Sequence, residues 1–175
     1  NTVTGSYISN ALGKGAFLYE GADYNTISFS TLTSGAGGYQ GALNMYVSRY
    51  NTVTGSSIAA PGGVAVFLDT DADFNTISLS TIASGSSDPA LYLSAADSNT
   101  VTGVFVVNML GEAVYVDGGS DYNSISLSTM TCDAASSLRL YNASFNSVTA
   151  SRMTNVGGFA ARITRLDQTL PGDIL

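Results

Sequence analysis

Aspartate recurs at one fixed place in this sequence. Asp23, Asp73, Asp97 and Asp121 each stand two residues before an asparagine, with Arg49 and Ser144 filling the same place elsewhere. Carboxylates repeated at a constant interval and stacked at about 4.8 Å by strand pairing would serve one of two chemistries. They could hold Ca²⁺, or act as an acid and base pair in glycoside hydrolysis. The reading preferred for Asp73, Asp97 and Asp121 is plainer: Asp is a turn former, and such residues stabilise local backbone. The stretch D-T-D-A-D at 69–73 opens like an EF-hand loop but lacks its glycine and distant glutamate. There is no His, and no nucleophile stands beside a base, so no catalytic residue is assigned. The lone Cys132 falls in a column of Ser and Asn, which reads as a small buried side chain rather than a nucleophile. Apart from Ca²⁺ at the aspartate column, no cofactor is expected.

Two further patterns bear on binding. Tyr39 and Gln40, in the glycine-rich stretch 35–41 and near the ridge that contains Asp88, offer an aromatic platform with polar partners, which suits a sugar. Rows of Thr and Ser, T-x-T or T-x-S in phrase after phrase, imply two lines of hydroxyls on one flat face.

What must position these groups is a repeat. Taking Asn1, Asn25, Asn51, Asn75, Asn99, Asn123 and Asn146 as anchors, the intervals are 24, 26, 24, 24, 24 and 23 residues. A period in this range marks a stacked repeat protein. Two places after each anchor comes Val3, Ile27, Val53, Ile77, Val101, Ile125 or Val148, and seven places after it Ile8, Leu32, Ile58, Ile82, Val106, Met130 or Met153. Stacked strands need such inward columns, but five is an odd spacing, so a bend must separate them. Four places after the anchor, Gly5, Gly55 and Gly103 alternate with Phe29, Leu79 and Leu127. Large side chains pointing inward there would fill the space left by the glycines. A third apolar pair follows in every phrase, from Ala16 with Leu18 to Ala161 with Ile163, and length variation falls always just before it, at 35–41, 85–89 and 134–137. Insertions confined to one corner are expected of a solenoid. Tyr24, Tyr50, Phe74, Tyr122 and Phe145 precede the anchors and read as rings stacked over a turn. The anchor asparagines read as a ladder, their amides bonding to one another and to the turn backbone.

Composition bounds the partners. The chain has 175 residues, enough for one domain, and only six basic residues against a net charge of −7. Nucleic acid, which needs a cationic stripe, is excluded. One cysteine cannot form an internal disulfide, and no run of about 18 apolar residues is present to span a membrane.

These features predict an all-β solenoid of about seven coils of 23–26 residues, three short strands each, over 1–163. Residues 164–175 carry no anchor and read as a C-terminal cap or tail. The N-T-V-T-G and N-T-I-S phrases resemble the right-handed parallel β-helix repeat family, which includes pectin-degrading enzymes, phage tailspikes and many bacterial surface proteins. That resemblance implies a right-handed, single-stranded parallel β-helix and an extracellular or cell-surface bacterial setting. The fold hosts many activities. With no deviating cluster that forms a site, the first reading is a non-enzymatic structural or adhesive module cut from a larger protein, with surface glycans or end-to-end copies of itself as partners. The alternative is a carbohydrate-binding or polysaccharide-processing β-helix, a lyase or hydrolase. A third reading is ice binding through the Thr/Ser face.

Overall fold

The computed structural model describes residues 1–164, so all but the first residue of the expected C-terminal cap lies outside the described residues. Each phrase folds as one coil of a parallel β-solenoid, and the coils form three seven-stranded sheets. In the first sheet, three-residue strands such as Thr52–Thr54, Thr76–Ser78 and Thr100–Thr102 alternate hydroxyl, β-branched, hydroxyl. The central residue points inward and the outer two face solvent. Ile77 lies directly between Val53 and Val101, so the anchor spacing is the strand register. The second sheet contributes Leu32, Ile58, Ile82, Val106 and Met130, and the third contributes pairs such as Val66 with Leu68 and Leu91 with Leu93, all fully buried. Burying each such side chain is worth about 1.5–3 kcal/mol, and together they make one continuous core along the axis.

The corner between the first and second sheets differs from expectation. Phe29, Leu79 and Leu127 do not point inward: they are exposed, at 73%, 73% and 70%. The physical reason is the backbone. The position four after the anchor takes a left-handed conformation in every coil, with φ of +49° at Phe29, +48° at Leu79 and +59° at Gly55. That φ makes the sharp bend required between the two inward columns and turns the side chain outside. The large-against-small complementarity is real but external. A Cβ on Gly55 would come within 2.8 Å of the Phe29 ring, so glycine gives the ring room to lie over the next coil.

The next residue is serine in most coils, and it closes the corner. Ser30, Ser56 and Ser128 are buried. Each hydroxyl donates to the carbonyl two residues back, as from Ser30 to Ser28 at 2.8 Å, and accepts a backbone N–H from the preceding coil, as from Ser6 at 3.1 Å. Where Val104 replaces the serine, the corner is filled by an apolar side chain instead.

The corner leading back to the first sheet holds the anchors. Asn51 donates its backbone N–H to Asn75 Oδ1 at 2.8 Å and its side-chain N–H to the same oxygen at 3.1 Å. Asn75 passes its own N–H to Asn99 Oδ1 and its side-chain N–H to the carbonyl of Ser48. From Asn25 onward the residue before each anchor, aromatic everywhere but at Ser98, also has positive φ, +56° at Tyr50 and +55° at Phe74. The rings are exposed and stacked, 5.0 Å between Tyr24 and Tyr50 and 5.2 Å between Tyr50 and Phe74.

Stability follows from these buried amides. Asn75→Ala strips the Asn51 N–H and the Ser48 carbonyl of partners, and leaving such buried groups unsatisfied is expected to lower stability by about 2–3 kcal/mol in urea unfolding. Asn1→Ala, at the exposed end of the ladder, is expected to change it by less than about 0.5 kcal/mol. Equal effects at the two positions would contradict the ladder.

Candidate functional site

The outer face of the third sheet carries a run of aromatic rings. The apolar pair of each coil points inward, so the residue between the two members points out. Reading up the axis, this outward column is Phe17, Asn44, Phe67, Tyr92, Tyr115 and Arg139, each the strand partner of the next. Phe67 stacks on Tyr92 with centroids 4.9 Å apart, and Tyr92 on Tyr115 at 5.1 Å. The Arg139 guanidinium closes the run 4.7 Å above Tyr115 and pairs with Glu112 at 3.1 Å. Beside this column Tyr19 and Tyr46 stack at 5.5 Å.

The loop 35–41, inside the longest of the anchor intervals, bends over this face. It brings the Tyr39 ring to 5.3 Å from Phe67 and 5.9 Å from Tyr92. The Asn44 side chain holds the loop down by donating to the Tyr39 carbonyl at 2.9 Å. Beneath lies a groove of about 440 Å³ whose walls include Lys14, Phe17, Tyr39, Gln40, Asn44 and Phe67, with Tyr46, Asp69, Tyr92 and Ser94 also bordering it. Tyr39 and Gln40 both line this groove. Asp88 is not part of it. Its carbonyl accepts from Asn108 Nδ2 at 2.7 Å, in another loop of the same corner.

Rings rather than acids dominate this groove. Asp69 is the carboxylate in its wall. Higher up, Asp117 accepts the Tyr92 hydroxyl at 3.0 Å on both oxygens. Burial, then the Asp117 carboxylate, push the Tyr115 phenol up to about 12, and burial pushes Tyr92 up further, so both hydroxyls stay protonated donors at neutral pH. The aromatic column was missed in the sequence because ring, Asn and Arg share it. Reading the middle residue of each apolar pair would have shown it.

The aspartate column serves the backbone. Asp23 accepts the Arg49 N–H at 2.6 Å, Asp73 that of Asp97 at 2.8 Å, Asp97 that of Asp121 at 2.7 Å, and Asp121 that of Ser144 at 2.6 Å. Arg49 interrupts the acids and pairs with Asp73 at 3.2 Å and Asp71 at 3.8 Å. Residues 69–73 diverge: Asp69 enters the groove, Asp71 meets Arg49 and Asp73 joins the ladder. Among the described residues no three His, Cys, Asp or Glu side chains come together in a way that could hold a metal ion.

On the first sheet, the outer hydroxyls bond to each other in alternate gaps, Ser28 to Thr4 at 3.1 Å, Ser78 to Thr54 at 2.9 Å and Ser126 to Thr102 at 3.0 Å, so one of the two rows is paired rather than evenly free. Cys132 is buried, and its thiol donates to the Gly111 carbonyl at 3.0 Å, tying the variable corner as Ser84 and Asn108 do in other coils.

Burial pushes the Asp73 carboxyl above the usual carboxylate range, outweighing the Asp97 N–H and the Arg49 guanidinium that hold it down. An acid whose folded-state pKa is raised binds its proton more tightly when folded, so its contribution favours the fold below the unfolded pKa of about 3.9 and is lost as pH rises through the folded value. Asp73→Asn keeps an oxygen for Asp97 and is expected to melt no lower than the native chain at pH 7. Any advantage should fade on acidification through the carboxylate range. A variant melting several degrees lower at pH 7 would contradict this.

A profile described as the right handed beta helix region matches residues 1–159. No curated protein and no solved structure matches the chain. With the profile spanning nearly all of the described coils, and three parallel sheets stacked in register along them, the chain belongs to the right-handed β-helix family.

Proposed function

We propose that the chain is a non-enzymatic adhesive module of a larger bacterial secreted or cell-surface protein, and that it holds a surface glycan in the groove beneath Tyr39. The observation that carries this reading is the groove's chemistry: the rings of Phe17, Phe67 and Tyr39 surround a space bordered by Gln40, Asn44, Asp69 and Ser94. Sugar rings have apolar faces and hydroxyl edges, and sites for such ligands combine aromatic walls with a few placed polar groups. The scaffold around it is stiffened by side-chain ladders at two of its corners, which suits a part that must carry load and present a surface.

The disposition of the acids favours binding over cleavage. Glycoside hydrolysis by the common route needs two carboxyl groups flanking the bond. Asp69 stands in the groove, whereas Asp117 lies two coils further along and is engaged by Tyr92. The ladder acids Asp73, Asp97 and Asp121 each hold a backbone N–H from a neighbouring coil.

Two outcomes test the reading. On a glycan array the chain is expected to bind a subset of carbohydrates, and Tyr39→Ala to reduce that signal at least tenfold without changing the melting temperature by more than a few degrees. A blank array would contradict it. Calcium at millimolar concentration is expected to leave the melting temperature unmoved, since a ligand bound tightly by the folded state alone must raise it; a rise of several degrees would show a cation site.

A further inference from the structure

We propose that an exposed slot at Ser98, where the ring column of the anchor corner lacks a ring, takes an arginine guanidinium of a partner polypeptide between Phe74 and Tyr122, beside the carboxylates of Asp97 and Asp121. Neither Ser98 nor these two rings line the groove beneath Tyr39, so the site is independent of the glycan reading. The column runs Tyr24, Tyr50, Phe74, then Ser98, then Tyr122 and Phe145. Its rings stack at 5.0 Å and 5.2 Å before the serine and at 4.9 Å after it. Phe74 and Tyr122 precede strands two steps apart, and two steps of strand spacing are about 9.6 Å. One flat group fits between them at the column's own spacing. The backbone is already set for it, with φ of +56° at Ser98 as at Tyr50, so the serine presents its small side chain where its neighbours present rings. Phe74 and Tyr122 are 47% and 60% exposed, and among the described residues neither has a stacking partner on the side of the slot.

Charge selects the occupant. On the third sheet the ring column ends in Arg139, whose guanidinium lies 4.7 Å from the Tyr115 ring centre and pairs with Glu112 at 3.1 Å. A guanidinium thus takes a ring's place there, with a carboxylate at its edge. At the slot, Asp97 and Asp121 stand one residue before Ser98 and Tyr122. Each gives one oxygen to a backbone N–H, and among the described residues neither pairs with a cation. Asp73 in the same column does, with Arg49 at 3.2 Å. Arginine satisfies rings and carboxylates together, because its planar head stacks on aromatic faces while its N–H edges meet acids. An ammonium has no flat face to stack, and a neutral ring or sugar leaves the acids without a counter-charge. Thirteen acidic residues against six basic also favour approach of a cationic partner.

Amide NMR titration of the full chain tests the slot, with the blocked peptides GGRGG, GGKGG and GGYGG and methyl β-glucoside as probes. The arginine peptide is expected to shift the amides of Phe74, Ser98 and Tyr122 and to bind at least fivefold more tightly than each other probe. Ser98→Tyr fills the slot with the residue that Tyr50 and Tyr122 carry at the same φ, and is expected to abolish those shifts while melting no lower than the native chain. Asp97→Asn with Asp121→Asn keeps an oxygen for each backbone N–H, and is expected to weaken the arginine peptide at least threefold. No shift with the arginine peptide, or shifts undiminished in Ser98→Tyr, would overturn the slot. Equal binding of the lysine peptide, the tyrosine peptide or the glucoside, or arginine binding unchanged in the double variant, would overturn the guanidinium as its occupant.

Discussion

Parallel pairing in strict register is the constraint on which the molecule depends. Because each coil lies over the next with equivalent residues aligned, any side chain that can bond to its own kind becomes a ladder along the axis. The asparagine and aspartate ladders run in opposite senses. Asn51 sends its N–H to the oxygen of the coil after it, whereas Asp97 sends its N–H to the oxygen of the coil before it. Each coil is thereby clamped from both sides at one corner, while the serines fix the tight bend at another. Polar groups that would be costly to bury alone are satisfied by repetition.

Such a scaffold places function in its departures. A perfect repeat would give a uniform outer column on every face. On the third sheet, Asn44 replaces a ring, and the loop at 35–41 is long enough to fold Tyr39 over the neighbouring coil. Both changes occur in one coil, and they convert a ribbed surface into a groove. The charge pattern agrees. The ladder aspartates hold backbone N–H groups, Asp73 also pairs with Arg49, Glu112 pairs with Arg139 and Asp117 accepts from Tyr92, whereas Asp69 borders the groove.

Much of this was legible in the residues. The asparagine spacing gave the register, and the two columns that follow it gave two of the inward faces. The corner at Phe29 was read the wrong way round because alternation of large and small residues reports complementarity, not which side of the backbone it occupies. Only the sign of φ decides that, and a Phe or Leu at positive φ is uncommon enough that sequence favours the opposite choice. The aspartates were read as turn residues that stabilise local backbone, whereas each reaches across to a backbone N–H of another coil, which depends on corner geometry. Tyr39 and Gln40 could be singled out from composition; their partners Phe67 and Tyr92 could not, since 28 and 53 residues separate them from Tyr39 in the chain.

The account stands or falls on coil lying over coil, and methyl NOEs measure this directly. With Ile, Leu and Val methyls labelled, Ile77 is expected to show strong contacts to both Val53 and Val101, each 24 residues away. Contacts from Ile77 to residues of an antiparallel neighbour, with none to Val53 or Val101, would contradict the stacked register and the groove built upon it.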